Sequence, residues 1–260
     1  MPELPEVETF ARYFTKHALH QRIARVEVRD ERILGDIRKE AFVRALRGRS
    51  FSRVRRHGKH LFADAKGVWL HLHFGMSGDL HYSRDGAEPR WPRVVFTFDD
   101  KAKLSFDDMR IFGLADVVED PDAFIEASGL GPDPLDPKFR APKFLALLEK
   151  RRGAIKSLLM SQEIIAGLGN LYVDEILYQS SVAPRRPVDR LDAKEARAFF
   201  TNMRRILREA IARHARESEL PPRYLFHHRE AGERCPMCGG TIQRATVFGR
   251  TTYFCARHQK

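Results

Sequence analysis

The residue types best suited to chemistry lie near the end of the chain. Cys235-Pro-Met-Cys238 is followed, after sixteen residues, by Cys255-Ala-Arg-His258. This approaches the spacing of a two-knuckle zinc ribbon with His in the last place, so Cys235, Cys238, Cys255 and His258 are candidate ligands of one structural, tetrahedral zinc ion. The chain has three cysteines in all and every one lies in this tail, a distribution that suits a metal better than a disulfide framework. So short a segment buries little core, and the metal would supply its folding energy. Between the knuckles, Thr246-Val-Phe-Gly-Arg-Thr-Thr-Tyr-Phe254 has two β-prone stretches around Gly249-Arg250, which predicts a hairpin with Arg250 at its tip. A guanidinium there suits a phosphate, although a lone Arg is more often a solvated surface charge. Upstream, Ile164-Ile-Ala-Gly-Leu-Gly-Asn170 joins two apolar stretches through a Gly-x-Gly-Asn turn. Asn170 is placed to cap the next helix, whose exposed N–H groups would attract an anion. By itself this turn is a weak signal, and a plain helix–turn–helix hairpin is its default reading.

These candidates need elements to hold them. Val7, Phe10, Ala11 and Phe14 stand at helical spacing, so a helix should begin just after Pro5 and leave Pro2 and Glu3 at its mouth. From about residue 22 to 118 the pattern changes to short apolar or alternating runs, among them Ile23–Val28, Val68–Phe74, Val94–Phe98 and Lys103–Phe106, with turn signals at Arg84-Asp-Gly86 and Asp99-Asp100. That predicts a β-sandwich or barrel. The Pro-rich Gly131-Pro-Asp-Pro-Leu-Asp-Pro137 marks a boundary, and helices should follow to about residue 216. The clearest helix covers about 193 to 214, with one apolar stripe and with Asp192 and Glu195 spaced as a capping box. The expected fold is α+β, with an N-terminal domain over 1–130, a helical domain over 131–223 and a zinc hairpin over 224–260.

The formal net charge of +11 makes a polyanion the leading partner, with surface solubility as the plainer reading. No apolar run is long enough to span a membrane, and the opening Met-Pro-Glu-Leu-Pro-Glu resembles no secretory leader. The chain is expected to be soluble and cytoplasmic.

Taken in order, Met1-Pro-Glu-Leu-Pro-Glu-Val-Glu-Thr9, Gly58-Lys-His60, His73-Phe-Gly-Met-Ser-Gly78, Asp108-Met-Arg-Ile-Phe-Gly113, Ala166-Gly-Leu-Gly-Asn-Leu-Tyr172 and the cysteine tail resemble the formamidopyrimidine-DNA glycosylase and endonuclease VIII family. Leu4 in the opening motif is similar to the formamidopyrimidine branch. The resemblance implies an N-terminal β-sandwich with a catalytic N-terminal helix. It also implies a helix–two-turn–helix domain with a zinc-ribbon hairpin, and damaged double-stranded DNA between the two domains. It implies no nucleotide cofactor, a monomer, and a place with the nucleoid.

The resemblance also assigns roles. Removal of Met1 would expose Pro2 as a secondary amine, and an α-amino group titrates near 8, far below lysine, so a useful fraction is nucleophilic at neutral pH. Glu3 would open the sugar or shuttle its protons, and Glu6 would position the terminus. Lys59, Lys156, Asn170 and Arg250 would grip phosphates. Met76, Arg110 and Phe112 would fill the gap left by a displaced nucleotide. Without the resemblance, Glu3 would read as surface and Met76 and Phe112 as core. The implied activity is that of a bifunctional DNA glycosylase and abasic-site lyase. The alternatives are a non-catalytic binder of damaged DNA on the same scaffold, or a zinc ribbon that recruits proteins. The chain departs from the family at Arg216–Arg223, where a Gly-Gly-Ser/Thr segment leading to a loop over oxidised guanine is expected, and at Ser161 and His258.

Overall fold

Leu4, Val7, Ala11, Phe14 and Ala18 recur every three or four positions, which lines them along one helical face. In the computed structural model, which describes residues 1–149 and 151–260, they form helix α1 over Leu4–Ala18. Glu6 in its first turn and Lys16 in its last complement the helix dipole. The chain divides into two units, one of Met1–Pro2 and Glu6–Gly129, the other of Glu3–Pro5 and Leu130–Lys260.

The first unit is a sandwich of two four-stranded antiparallel sheets. One sheet has the order β1-β6-β7-β5, with β1 at Ile23–Val28, β5 at Gly78–Ser83, β6 at Pro92–Phe98 and β7 at Lys103–Asp108. The other has the order β2-β3-β4-β8, with β2 at Arg53–His57, β3 at His60–Asp64, β4 at Trp69–His73 and β8 at Leu114–Val118. Inward residues such as Phe51, Leu61, Leu70, Leu72, Phe96 and Phe106 share a single core with Val7, Ala11, Phe14 and Ala18 of α1. The expected sandwich is present, and two short helices that the strand pattern did not reveal accompany it, one among the strands and one just after the last of them. Helix α2, Lys39–Leu46, buries Phe42 and Leu46, and α3, Pro121–Ala127, starts at the side-chain cap of Asp120 with Pro121 in its first turn. Phe124 of α3 lies against the β3–β4 face, 4.4 Å from the His71 ring and 5.7 Å from the Phe62 ring.

The second unit contains α4 at Ala141–Glu149, α5 at Ile155–Met160, α6 at Asn170–Gln179 and α7 at Ala193–Ala212. Asp192 and Glu195 form the expected capping box on α7, whose stripe from Ala196 to Ile211 is buried. Strands β9, Gln243–Val247, and β10, Arg250–Phe254, form the tail hairpin. Val247 pairs with Arg250, so the two-residue turn is Phe248-Gly249, both at positive φ as such turns require. Arg250 therefore begins the returning strand, one place beyond the tip where the sequence put it.

Candidate active site and nucleic-acid interface

The start of α6 is built around an acidic side chain from the other end of the chain. Glu3, 3 % exposed, accepts N–H bonds from Gly169 at 2.7 Å, Leu171 at 2.9 Å and Tyr172 at 3.3 Å. The first turn of a helix carries unsatisfied N–H groups and a partial positive charge, so a carboxylate suits it. Gly169 is required for this approach, because a Cβ there would lie 2.3 Å from the Glu3 carboxyl carbon. The anion site foreseen at this turn thus exists and is filled by Glu3. Leu4 N–H adds a bond to the Gly167 carbonyl at 3.0 Å. Pro2 immediately precedes this anchored residue and is half-buried, while Glu6 is half-buried in the first turn of α1.

Asn170 does not cap α6; Gly169 holds that position without a side chain. The Asn170 amide instead donates to the Thr251 carbonyl of β10 at 2.9 Å, and its Oδ1 is buried with no hydrogen-bond partner among the described residues. Lys156, which the resemblance assigns to a phosphate, lies in the interior between helices and hairpin. It is 1 % exposed, and its ammonium donates to Asp174 Oδ1 at 2.5 Å and to Thr252 Oγ1 at 2.6 Å. Arg229 reaches the other oxygen of Asp174 at 3.0 Å. Burial pushes the Lys156 ammonium below the ordinary lysine range, against the pull of Asp174. Lys156, Asp174 and Thr252 join α5 and α6 to the hairpin, which leaves Arg250 exposed at its outer end.

In the first unit Lys59 sits in the β2–β3 turn, 8 % exposed, within electrostatic range of His60 and His73. Met76 and Phe112 are 44 % and 56 % exposed, far from the core packing that their residue types alone suggest. The Arg110 guanidinium lies 5.0 Å from the Phe112 ring centre, within cation–π range.

The thiols of Cys235, Cys238 and Cys255 converge to within 4.8 Å of one another, with Cys238 Sγ and Cys255 Sγ 3.6 Å apart. Tetrahedral zinc–sulfur bonds of about 2.3 Å give sulfur–sulfur edges of about 3.8 Å, so the trio matches three corners of such a site. His258 is not part of the cluster. Its Nε2 faces the Tyr178 carbonyl at 2.9 Å and its ring packs on Tyr178, so the cysteine trio alone converges of the four ligands expected from the sequence.

Residues 1–115 match the formamidopyrimidine-DNA glycosylase N-terminal domain, and residues 130–221 match the formamidopyrimidine-DNA glycosylase H2TH domain. The chain belongs to the formamidopyrimidine-DNA glycosylase family. It is 35 % identical to the formamidopyrimidine-DNA glycosylase of Paracoccus denitrificans, with 98 % of each chain covered, and 36 % identical to that of Moorella thermoacetica, with 94 % of each covered. Among solved structures it resembles MutM in complex with DNA containing carbocyclic 8-oxo-G, with a TM-score of 0.89, 28 % identity and full coverage of both chains. It also resembles the Lactococcus lactis Fpg bound to DNA containing an abasic site, with a TM-score of 0.88, 27 % identity and 99 % coverage of each.

For this member of the glycosylase family, several residues that shape the site carry weak sequence signals. Asn170 and Asp174 stand four apart on α6, a spacing that places both on the face bonded to β10, and this was the available clue to the hairpin anchor. His60, His71 and His73 gather on the β3–β4 face, with His60 Nδ1 and His71 Nε2 2.9 Å apart. Alternation along Trp69–His73 puts His71 and His73 on one side, but the sequence does not reveal that His60 joins them. Among the described residues, no helix is long and apolar enough to cross a membrane.

Proposed function

We propose that this chain is a DNA glycosylase of base excision repair that also cleaves the strand at the resulting abasic site, with Pro2 as its nucleophile. The reading is carried by the terminus. Pro2 directly precedes Glu3, whose carboxylate is fixed by three backbone N–H groups, in a chain that matches the glycosylase family over nearly its whole length. Once Met1 is removed, the Pro2 nitrogen lone pair forms a bond to C1′ of the damaged nucleotide, and the bond from C1′ to the base breaks with its electron pair leaving on the base. Opening of the sugar ring yields an iminium. Its positive charge acidifies the C2′ hydrogen, so loss of that proton expels the 3′ phosphate, and a second elimination expels the 5′ phosphate. Glu3 moves protons to the ring oxygen and the terminus, and Glu6 orients the amine.

Lys59, Asn170 and Arg250 serve the DNA backbone, Arg250 from the exposed end of the hairpin. Met76 and Phe112 enter the stack where the damaged nucleotide leaves, and Arg110 faces the orphaned base. One zinc ion held by Cys235, Cys238 and Cys255 together with a fourth donor would fix the fold of the tail. The segment Arg216–Arg223 is compact, with a short 3₁₀ turn at Glu217–Glu219 and Leu220 buried, so it offers no long loop to cover oxidised guanine. The test is excision and strand cleavage on duplexes carrying 8-oxoguanine, a formamidopyrimidine, a hydantoin, an oxidised pyrimidine or an abasic site. Cleavage of the abasic duplex, with 8-oxoguanine removed more slowly than the ring-opened lesion, is expected. Binding without cleavage of any of them would overturn the reading.

A further inference from the structure

The two loops that carry Met76, Arg110 and Phe112 meet at one buried carboxylate. Asp108 ends β7 with none of its surface exposed. Its Oδ1 accepts the Ser77 hydroxyl at 2.5 Å and the Arg110 N–H at 3.2 Å, and its Oδ2 accepts the Gly113 N–H at 2.7 Å. The Ser77 oxygen in turn accepts the Arg110 N–H at 3.2 Å. Asp108 therefore holds the neighbour of Met76 with one oxygen and both ends of the Arg110–Gly113 turn with the pair.

Within that turn stands Ile111 at a φ of +54°. A β-branched residue is a rare occupant of the left-handed region, because its side chain crowds the backbone, and such a conformation persists only where the surroundings impose it. Here the residues on either side of Ile111 and Phe112 are tied to one carboxylate. The loops are also in backbone contact: Gly75, at a φ of +54°, lies so close that a Cβ would come within 2.3 Å of the Phe112 carbonyl. From the outer side the Arg93 guanidinium donates to the carbonyls of Asp108 at 2.8 Å and Met109 at 3.3 Å.

We propose that Asp108 is a positioning residue for opening the duplex: its carboxylate holds Ile111 in the left-handed conformation and so joins Met76, Arg110 and Phe112 into one rigid wedge. The proposal rests on the reading of those three side chains as the group that fills the DNA stack. It explains why an acid is buried beside solvent-exposed apolar residues, and it predicts an effect confined to substrates that must be opened.

The test compares Asp108→Asn, Ile111→Gly, the double variant and Ser77→Ala with Met76→Ala as reference. Single-turnover excision from a lesion duplex is set against cleavage of single-stranded abasic DNA, which has no pair to open. Asp108→Asn turns an amide donor toward groups that themselves donate, and should slow duplex excision on the order of tenfold while changing single-strand cleavage less than about twofold. Ser77→Ala should lower duplex excision by a smaller factor, which keeps the proposal testable should Asp108→Asn fold poorly. Glycine takes positive φ freely, so Ile111→Gly in the Asp108→Asn background should recover several-fold of the lost duplex rate. Equal losses on both substrates, or no recovery in the double variant, would make Asp108 a fold determinant only and overturn the proposal. Met76→Ala separates the two readings. If it leaves duplex excision unchanged, the wedge itself is wrong; if it slows excision while Asp108→Asn and Ser77→Ala do not, the positioning role alone fails.

Discussion

At the scale of single residues, the N-terminus shows how a short motif acquires its geometry. Glu3 would be exposed in most proteins, yet here it closes the first turn of a helix more than 160 positions away in sequence, because Gly169 leaves room for its carboxylate. Gly169→Ala should expel that carboxylate and leave buried N–H groups without an acceptor, at a cost of about 1–3 kcal/mol. Thermal melting should show the loss together with weaker covalent trapping on DNA; an unchanged melt and trapping would mean that Glu3 has another anchor. The roles of Met76 and Phe112 came from resemblance, and their exposure agrees with use at a surface. The buried ion pair of Lys156 was not legible for a physical reason: nothing local in Ile155-Lys-Ser-Leu-Leu-Met160 announces one partner on another helix and a second on a strand nearly a hundred residues later.

At the scale of elements, long and strongly periodic segments were legible. The capping box and stripe of α7, the helix after the N-terminal prolines, strand β1 and the tail hairpin follow from residue pattern alone. Helix α2 and helix α3 were not legible, since apolar runs of eight or fewer residues are too short to show whether their period is that of a helix or a strand. The hairpin tip was displaced by one residue because Phe248 adopts a positive φ that its side chain does not advertise. What holds the hairpin to α6 was invisible, since hydrogen bonds between distant segments leave no periodicity. Lys156→Met should therefore destabilise the second unit by about 3 kcal/mol, because Asp174 would stay buried with Arg229 as its remaining cationic partner. Denaturant unfolding measures this, and faster amide exchange in β10 should accompany it. A neutral substitution would show that the Lys156–Asp174 pair is worth no more than the apolar contact that replaces it.

At the scale of the whole molecule, charge and acid sensitivity follow from where ionisable groups sit. Burial, together with neighbouring His71, His73, His57 and Lys59, pushes the His60 pKa down to about 2, and burial with His73 pushes His71 down to about 3. These residues stay neutral when folded but bind protons near pH 6.5 when unfolded, so the folded state is fully favoured above 6.5. As pH falls below 6.5, stability should drop by about 1.4 kcal/mol per pH unit for each of them. Melting temperature measured between pH 7 and 4.5 should decline, and His71→Phe should flatten the slope; a flat wild-type profile would contradict the burial of the cluster.

The central claim is that the amine of Pro2 becomes covalently attached to damaged DNA. It is tested most directly by borohydride reduction of the protein mixed with abasic-site duplex, followed by peptide mass analysis of the trapped product, in parallel with Pro2→Gly. The account predicts a stable adduct on Pro2 in the wild-type chain and its loss or severe weakening in the variant. Trapping at undiminished level in Pro2→Gly, or an adduct mapped to a lysine, would contradict it.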